Sequence, residues 1–249
     1  MPEPTSGAAP RCVVLLPTYN ERENLADIVP AILAAAPVDV IILDDNSPDG
    51  TGAIADQLAA GNPRIQVVHR AIKMGLGAAY LDGFARALDQ GYDRIIEMDA
   101  DFSHPPDRLA ELIRHSEQAD LVLGSRWVAG GGTRNWPWRR RFLSRGGSLY
   151  ARTLLGVDIR DLTGGFKCFR REVLESLDLD AITSTGYAFQ IEVTYRALKH
   201  GFRIIEMPII FTEREEGTSK MSRRIFLEAV VAVPKLRLEL RGRSGISEP

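Results

Sequence analysis

Arg94-Ile-Ile-Glu-Met-Asp99-Ala-Asp101-Phe-Ser103-His104-Pro105 is a short apolar run that ends in two carboxylates one residue apart. Arg94–Met98 reads as a buried strand, and the acids stand just past its carboxyl end. Two such acids repel each other, and a divalent cation that prefers hard oxygen ligands relieves this best. A single pair leaves coordination positions open for a phosphate-bearing substrate, and Ser103 and His104 stand close enough in the chain to contribute. The plainer reading is a solvated turn or a helix N-cap, since Asp and Ser suit both. The neighbouring elements decide between the two.

Outward from this stretch the chain alternates short apolar strands with helices. Strands are read at Val13–Leu16, Val38–Leu43, Ile65–Val68 and Leu121–Leu123, and helices at Glu21–Ala36, Gly52–Ala60, Gly77–Gln90 and Pro106–His115. Leu25, Ile28, Val29, Ile32 and Leu33 recur at helical spacing, and Pro37 ends that helix. Alternation of this kind predicts an α/β chain with a mostly parallel, Rossmann-like sheet and helices on both faces. Such sheets bind ligands beyond the carboxyl ends of their strands. Those ends are polar here: Pro17-Thr-Tyr19-Asn-Glu21, Asp44-Asp45-Asn46-Ser47, Asp99-Ala100-Asp101 and Gly124-Ser-Arg126. Asp45 is placed to accept hydrogen bonds from a base N–H or a ribose hydroxyl, or else both acids only shape the Asn46–Gly50 turn.

The second half is less regular. Helices are read at about Arg140–Leu155, at Phe189–Lys199 and over Met221–Leu240 with an interruption near Pro234, and strands at Arg203–Glu206 and Pro208–Thr212. Positive charge gathers at Arg126, Arg134, Arg139, Arg140, Arg141 and Arg145, then at Arg214, Lys220, Arg223 and Arg224. Arginine suits bidentate recognition of phosphate, while a charge run often means only a solvated face. Trp136 and Trp138 beside Arg139–Arg141 favour a membrane–water interface. The segments near 136–155 and 221–240 are read as amphipathic, and the second is either interfacial or packed on the core. Residues 1–10 read as a disordered tail, 11–241 as a single domain and 242–249 as a flexible tail.

The 249 residues are 45% hydrophobic and 26% charged, enough to bury a core without disulfides. The net charge of −2 argues against a protein that coats nucleic acid. Cys12 and Cys168 sit in apolar surroundings and read as reduced packing residues, too few for a four-cysteine zinc site. No apolar run approaches the roughly 20 residues of a transmembrane helix, and the amino terminus lacks a signal peptide's basic start and apolar stretch. The expected location is cytoplasmic, peripheral on the inner face of a membrane. No P-loop and no Gly-x-Ser-x-Gly elbow is present.

Several motifs in one order carry a resemblance. They are Pro17-Thr-Tyr-Asn-Glu-Arg-Glu-Asn24, Asp44-Asp-Asn-Ser-Pro-Asp-Gly-Thr51, Gly75-Leu-Gly-Ala-Ala-Tyr80, Met98-Asp-Ala-Asp101 with Ser103-His-Pro105, and Gly124-Ser-Arg126. Ser144-Arg-Gly146, Asp161-Leu-Thr-Gly-Gly-Phe166, Phe211–Arg214, Gly217 and Ser219-Lys220 follow. The chain thereby resembles family-2 inverting glycosyltransferases of the GT-A fold, more narrowly the dolichol-phosphate or polyprenol-phosphate mannose synthases, from about Val13 to Phe226.

That resemblance implies a single GT-A catalytic domain that transfers mannose from GDP-mannose to a polyprenyl monophosphate, with inversion. It implies Pro17, Tyr19, Glu21, Leu43, Asp45, Ala100, Arg214 and Lys220 around the nucleotide sugar. It implies Asp99, Asp101 and Ser103 around Mg²⁺ or Mn²⁺, although family members often carry Gln at the Ser103 position. Asp99, Asp101 and Arg126 are the implied catalytic residues, with Arg126, Arg140 and Ser144 on the acceptor phosphate. An acceptor phosphate is already anionic and needs no strong general base. Partners would be the membrane surface and a membrane-anchored protein, with no nucleic acid. The rivals are a polyprenyl-phosphate glucose synthase using UDP-glucose, a non-catalytic nucleotide-sugar-binding subunit, and a nucleotidyltransferase, which would want a Gly-rich basic loop where Pro17-Thr-Tyr-Asn stands.

Overall fold

The computed structural model describes residues 9–213 and 223–240. Its first half alternates as the sequence predicts: β1 (Cys12–Thr18), α1 (Arg22–Ala35), β2 (Val38–Asp44), α2 (Thr51–Gly61), β3 (Ile65–His69), α3 (Leu76–Asp89), β4 (Arg94–Glu97), α4 (Leu109–His115) and β5 (Leu121–Ser125). A 3-10 turn at Pro106–Arg108 opens α4, so the expected helix from Pro106 begins as a tighter turn. The second half holds β6 (Gly132–Arg134), α5 (Trp138–Leu155), β7 (Lys167–Arg170), α6 (Arg171–Ser176), α7 (Gly186–Lys199), β8 (Ile204–Pro208), β9 (Ile210–Thr212) and α8 (Arg223–Leu240).

Among the described residues the main sheet has the order β3-β2-β1-β4-β7-β5-β8. Strand β7 runs antiparallel to both its neighbours, and the remaining pairs are parallel. Strands β6 and β9 form a small parallel pair of their own. The chain winds outward from β1 to β3, then crosses back to β4 on the other side of β1. That reversal makes a crevice at the carboxyl ends of β1 and β4.

Side chains alternate across the sheet. Val13, Leu15, Ile41, Leu43, Ile95, Leu121 and Leu123 face one core, closed by residues of α3, α5, α7 and α8 such as Phe84, Leu155, Phe189 and Leu236. Val14, Leu16, Val40, Ile42, Ile96 and Val122 face a second core, closed by Ile28 and Ile32 of α1 and Leu112 of α4. Burial on both faces is why these strands read as continuous apolar runs. Cys12 and Cys168 are free and buried in the second core.

The structure differs from the sequence reading in several elements, the short strand β6 among them. Strand β1 continues through Pro17, because β4 pairs it only as far as Leu15 and the missing N–H costs no ladder bond on that side. Strand β7 and helix α6 were not expected, since four residues opening on a lysine carry no strand periodicity. Helix α8 is continuous across Pro234, where an interruption was expected; Val233, Leu236 and Leu240 pack into the core on both sides of the proline. The expected tail at 242–249, and 1–10 apart from Ala9 and Pro10, lie outside the described residues.

Candidate active site

The ends of β1 and β2 turn sharply away from the sheet. Asn20 and Asn46 take positive φ values of 58° and 54°, which Asn tolerates better than most residues. Asp44 and Asp45 part company here. Asp44 accepts hydrogen bonds from Thr18 Oγ1 at 3.0 Å, Ser47 Oγ at 2.6 Å and the Ser47 N–H at 3.2 Å, so it shapes the turn. Asp45 instead pairs with Arg70, which follows β3. Burial raises the Asp45 carboxyl against the lowering pull of Arg70. Around this corner stand Pro17, Tyr19 with the Lys73 ammonium 3.4 Å over its ring, and Glu21, which accepts from Asn24 Nδ2 at 2.9 Å. Leu43 and Ala100 are buried, so any surface they offer a ligand is mainly backbone.

Past β4 the Asp99–His104 loop is tightly held. The Asp99 N–H donates to His104 Nδ1 at 3.0 Å, and the Ser103 N–H donates to Asp101 Oδ1 at 3.0 Å. Phe102 between them takes a positive φ of 59°, a conformation that bulky residues adopt only under constraint. The His104 ring is buried between Phe166 and Phe211, at 5.3 and 5.4 Å. Burial lowers its pKa to about 4, so Nδ1 stays an acceptor for Asp99 near neutral pH. The loop is further tied to β9 by the Thr212 N–H, which donates to the Ser103 carbonyl at 3.3 Å.

This loop suits a divalent cation bound together with substrate phosphates. The Asp99 carboxylate is about a third exposed, Asp101 is buried, and Ser103 Oγ is buried with no hydrogen-bond partner among the described residues. Among the described residues no group of three or more His, Cys, Asp or Glu could hold a metal by itself. Two carboxylates and a hydroxyl therefore leave positions for phosphate oxygens, the usual manner of Mg²⁺ at phosphate sites.

Arg126, expected on phosphate, lies buried at the end of β5. Its Nε and Nη2 donate to Asp161 Oδ2 and Oδ1, both at 2.7 Å, and Nη2 also donates to Thr163 Oγ1 at 2.8 Å. Burial works to lower its pKa, and the Asp161 carboxylate more than offsets that. Much of its hydrogen-bonding capacity is thus spent inside the protein. Asp161 and Thr163 arrive here because β7 is antiparallel: the loop before it sits at the carboxyl edge of the parallel strands.

Arg140 and Ser144 lie one turn apart on α5. Ser148, the next residue along that face, meets Thr163 Oγ1 at 3.3 Å. The Arg140 guanidinium lies 4.2 Å over the Trp136 ring and pairs with Glu213 just past β9. Trp136 was expected at a membrane surface with Trp138. It is only 9% exposed, its ring packed edge-on to Phe211 at 5.2 Å. The most exposed apolar residues of α5 are instead Trp138 (72%), Phe142 (77%) and Leu149 (59%), a stripe on its opposite face among Arg139, Arg141 and Arg145. Arg214 and Lys220 lie outside the described residues. Asp161, Thr163, Arg70 and Glu213 joined the site only through the fold. The Asp161–Phe166 motif was visible in the sequence, yet its partner stands 35 residues away.

Comparison with known proteins agrees with this geometry. The family model described as glycosyl transferase family 2 matches residues 13–178. A polyprenol monophosphomannose synthase of Mycolicibacterium smegmatis is 52% identical over 236 residues, covering 94% of this chain and 88% of that protein. An undecaprenyl-phosphate mannosyltransferase of Micrococcus luteus is 48% identical over 232 residues, covering 93% and 96%. Among solved structures, a glucosyl-3-phosphoglycerate synthase of Mycobacterium tuberculosis with Mn²⁺, UDP-glucose and phosphoglyceric acid superposes with a TM-score of 0.65 at 20% identity, covering 92% of this chain and 80% of that one. A mannosyltransferase of Pyrobaculum calidifontis with GDP-mannose and Mn²⁺ gives 0.57 at 16% identity, covering 97% and 77%. At such identities these two speak to the fold alone. The chain is a glycosyltransferase of the GT-A fold and belongs to glycosyl transferase family 2, in its polyprenol-phosphate mannose synthase group.

Proposed function

We propose that this enzyme transfers mannose from GDP-mannose to a polyprenyl monophosphate at a membrane surface, with inversion at the anomeric carbon. The observation that carries the reading is a juxtaposition. The carboxylate-bearing loop, beside the corner of Tyr19, Glu21 and Asp45, is tied through β9 to Arg140 on a helix whose far side is apolar, basic and exposed.

In this reading Asp45, Tyr19 and Glu21 hold the nucleoside. Asp99 and Asp101 hold Mg²⁺ or Mn²⁺, which when bound offsets the charge of the donor diphosphate. Arg126, held in plane and largely neutralised by Asp161, would offer the substrates only the N–H groups that this pair leaves over. Arg140 and Ser144 hold the acceptor phosphate so that its oxygen meets the anomeric carbon opposite the departing GDP. That oxygen is already anionic, so no side chain has to remove a proton. The rest of the catalytic effect is positioning and electrostatics. No helix among the described residues is long and apolar enough to cross a membrane. Trp138, Phe142 and Leu149 with the surrounding arginines suit the headgroup boundary, and a membrane-anchored partner would add to their hold.

The test is a transfer assay with radiolabelled GDP-mannose, polyprenyl phosphate and Mg²⁺ or Mn²⁺, run beside Asp101→Ala. Metal-dependent label in the organic phase, absent in the variant and β-linked by NMR, is the expected result. Label only from UDP-glucose moves the donor. Nucleotide binding without transfer from either donor removes the catalytic reading.

A further inference from the structure

We infer that Glu213 occupies the place of the acceptor phosphate on Arg140, so that the acceptor binds by exchange with this carboxylate. The inference rests on reading Arg140 as the ligand of the acceptor phosphate.

Glu213 Oε1 accepts from Arg140 Nη1 in a pair whose side chains are 28% and 21% exposed, so the contact is open to an incoming group. The guanidinium is fixed from below by the Trp136 ring, itself wedged against Phe211. Its Nε is buried and has no acceptor among the described residues. One carboxylate therefore satisfies Arg140 only in part. A phosphate monoester offers more acceptor oxygens and matches a guanidinium bidentately. Glu213 is held in register by its own backbone, since its N–H donates to the Arg134 carbonyl at 3.1 Å. It directly follows Thr212, which is bonded to the Asp99–His104 loop. The carboxylate thus stands at a set place between the carboxylate loop and α5.

The two anions repel, so Glu213 must yield Arg140 when a phosphate arrives. While the site is empty, the pair keeps the guanidinium oriented and electrically neutralised. The exchange sets a threshold that every incoming phosphate must cross. A free phosphate has only its charge with which to displace the carboxylate, whereas a lipid phosphate adds the binding of its chain.

The experiment determines the KM for polyprenyl phosphate, the KM for GDP-mannose and the Ki for inorganic phosphate. It uses the parent enzyme, Glu213→Gln, Arg140→Met and the double variant, each checked by thermal melting. Glu213→Gln is expected to lower the acceptor KM and the phosphate Ki by about two- to fivefold, the range for a partly exposed ion pair, with the donor KM unmoved. Glu213→Asp, a second variant should the amide fold poorly, shifts the same values in the same direction by less. In the Arg140→Met background the Glu213 change is expected to have no effect. An acceptor KM unchanged or raised in Glu213→Gln overturns the exchange while leaving Arg140 as the phosphate ligand. A fall of equal size without Arg140 also overturns it, making Glu213 a remote charge. An acceptor KM untouched by Arg140→Met removes the reading of Arg140 itself, and the exchange with it.

Discussion

Asp44 and Asp45 are chain neighbours at the end of one strand, yet their carboxylates face different tasks. Asp44 gathers three hydrogen bonds within its own turn, and Asp45 reaches across to Arg70. Asp44→Ala should lower stability by about 1.5–3 kcal/mol, as expected for losing bonds to a charged group, read by urea unfolding. Asp45→Asn should raise the donor KM, and since the Asp45–Arg70 pair is nearly buried it should cost stability as well. A donor KM unmoved by Asp45→Asn would reduce Asp45 to a structural partner of Arg70. At Arg126 the decisive neighbour is Asp161, which the guanidinium meets through two nitrogens. Asp161→Asn leaves a buried guanidinium without its counter-charge, and a loss of about 3–5 kcal/mol is expected. A melting temperature close to the parent's would show that Arg126 finds another partner.

Helix α5 has two faces with different work. Arg140, Ser144 and Ser148 point toward the site, and Trp138, Phe142 and Leu149 point outward. Trp138→Ala/Phe142→Ala should weaken sedimentation with anionic vesicles several-fold while leaving turnover of a short, water-soluble prenyl phosphate near the parent level. Trp136→Ala, by contrast, removes a packed ring and should lower stability by about 3–5 kcal/mol. If the double change leaves vesicle binding intact, α5 is not the docking element. Strand β7 matters at the same scale: its antiparallel entry brings Asp161, Thr163 and Phe166 to the edge where Arg126 and His104 stand.

Across the whole molecule, β7 also sets Lys167 directly opposite Glu97 in the sheet interior. Their charged groups are 4.0 Å apart and fully buried, and Lys167 also donates to the Gln190 carbonyl at 2.9 Å. Burial raises Glu97 to about 7 and lowers Lys167 to about 8, each against the pull of the other. Lys167→Met alone should cost about 3–5 kcal/mol, and Glu97→Leu/Lys167→Met should recover most of it, as denaturant midpoints will report. The two thiols give a second global test. Burial raises Cys12 to about 11 and Cys168 to about 12, from an ordinary value of 9.0. The fold therefore keeps protons that the unfolded chain has lost, and stability should fall as pH rises from 9 toward 12. Cys168→Ala should flatten that slope, and neither thiol should react with a disulfide reagent at pH 8 before unfolding.

Strands β1 to β5 and their helices are legible in the amino-acid order because each buries itself with a local pattern, apolar runs for strands and 3.6-residue spacing for helices. The acids after β4 and the polar ends of β1 and β2 are legible for the same reason: they mark where each apolar run stops. Strand β7 is not legible, because a four-residue strand led by a buried lysine takes its identity from Glu97 opposite. The partners of Arg126, Asp45 and Arg140 are not legible either, since charges 25 to 73 residues apart meet only once the sheet has wound. Trp136 and Trp138 stand two residues apart in one basic segment, and nothing local separates them. Their fates diverge because the start of α5 sets one ring against Phe211 and turns the other to solvent. The sequence by itself determined the architecture and the carboxylate loop, since both are written in local periodicity. The tertiary structure alone decided which charge answers which, because that depends on distances that no local pattern encodes.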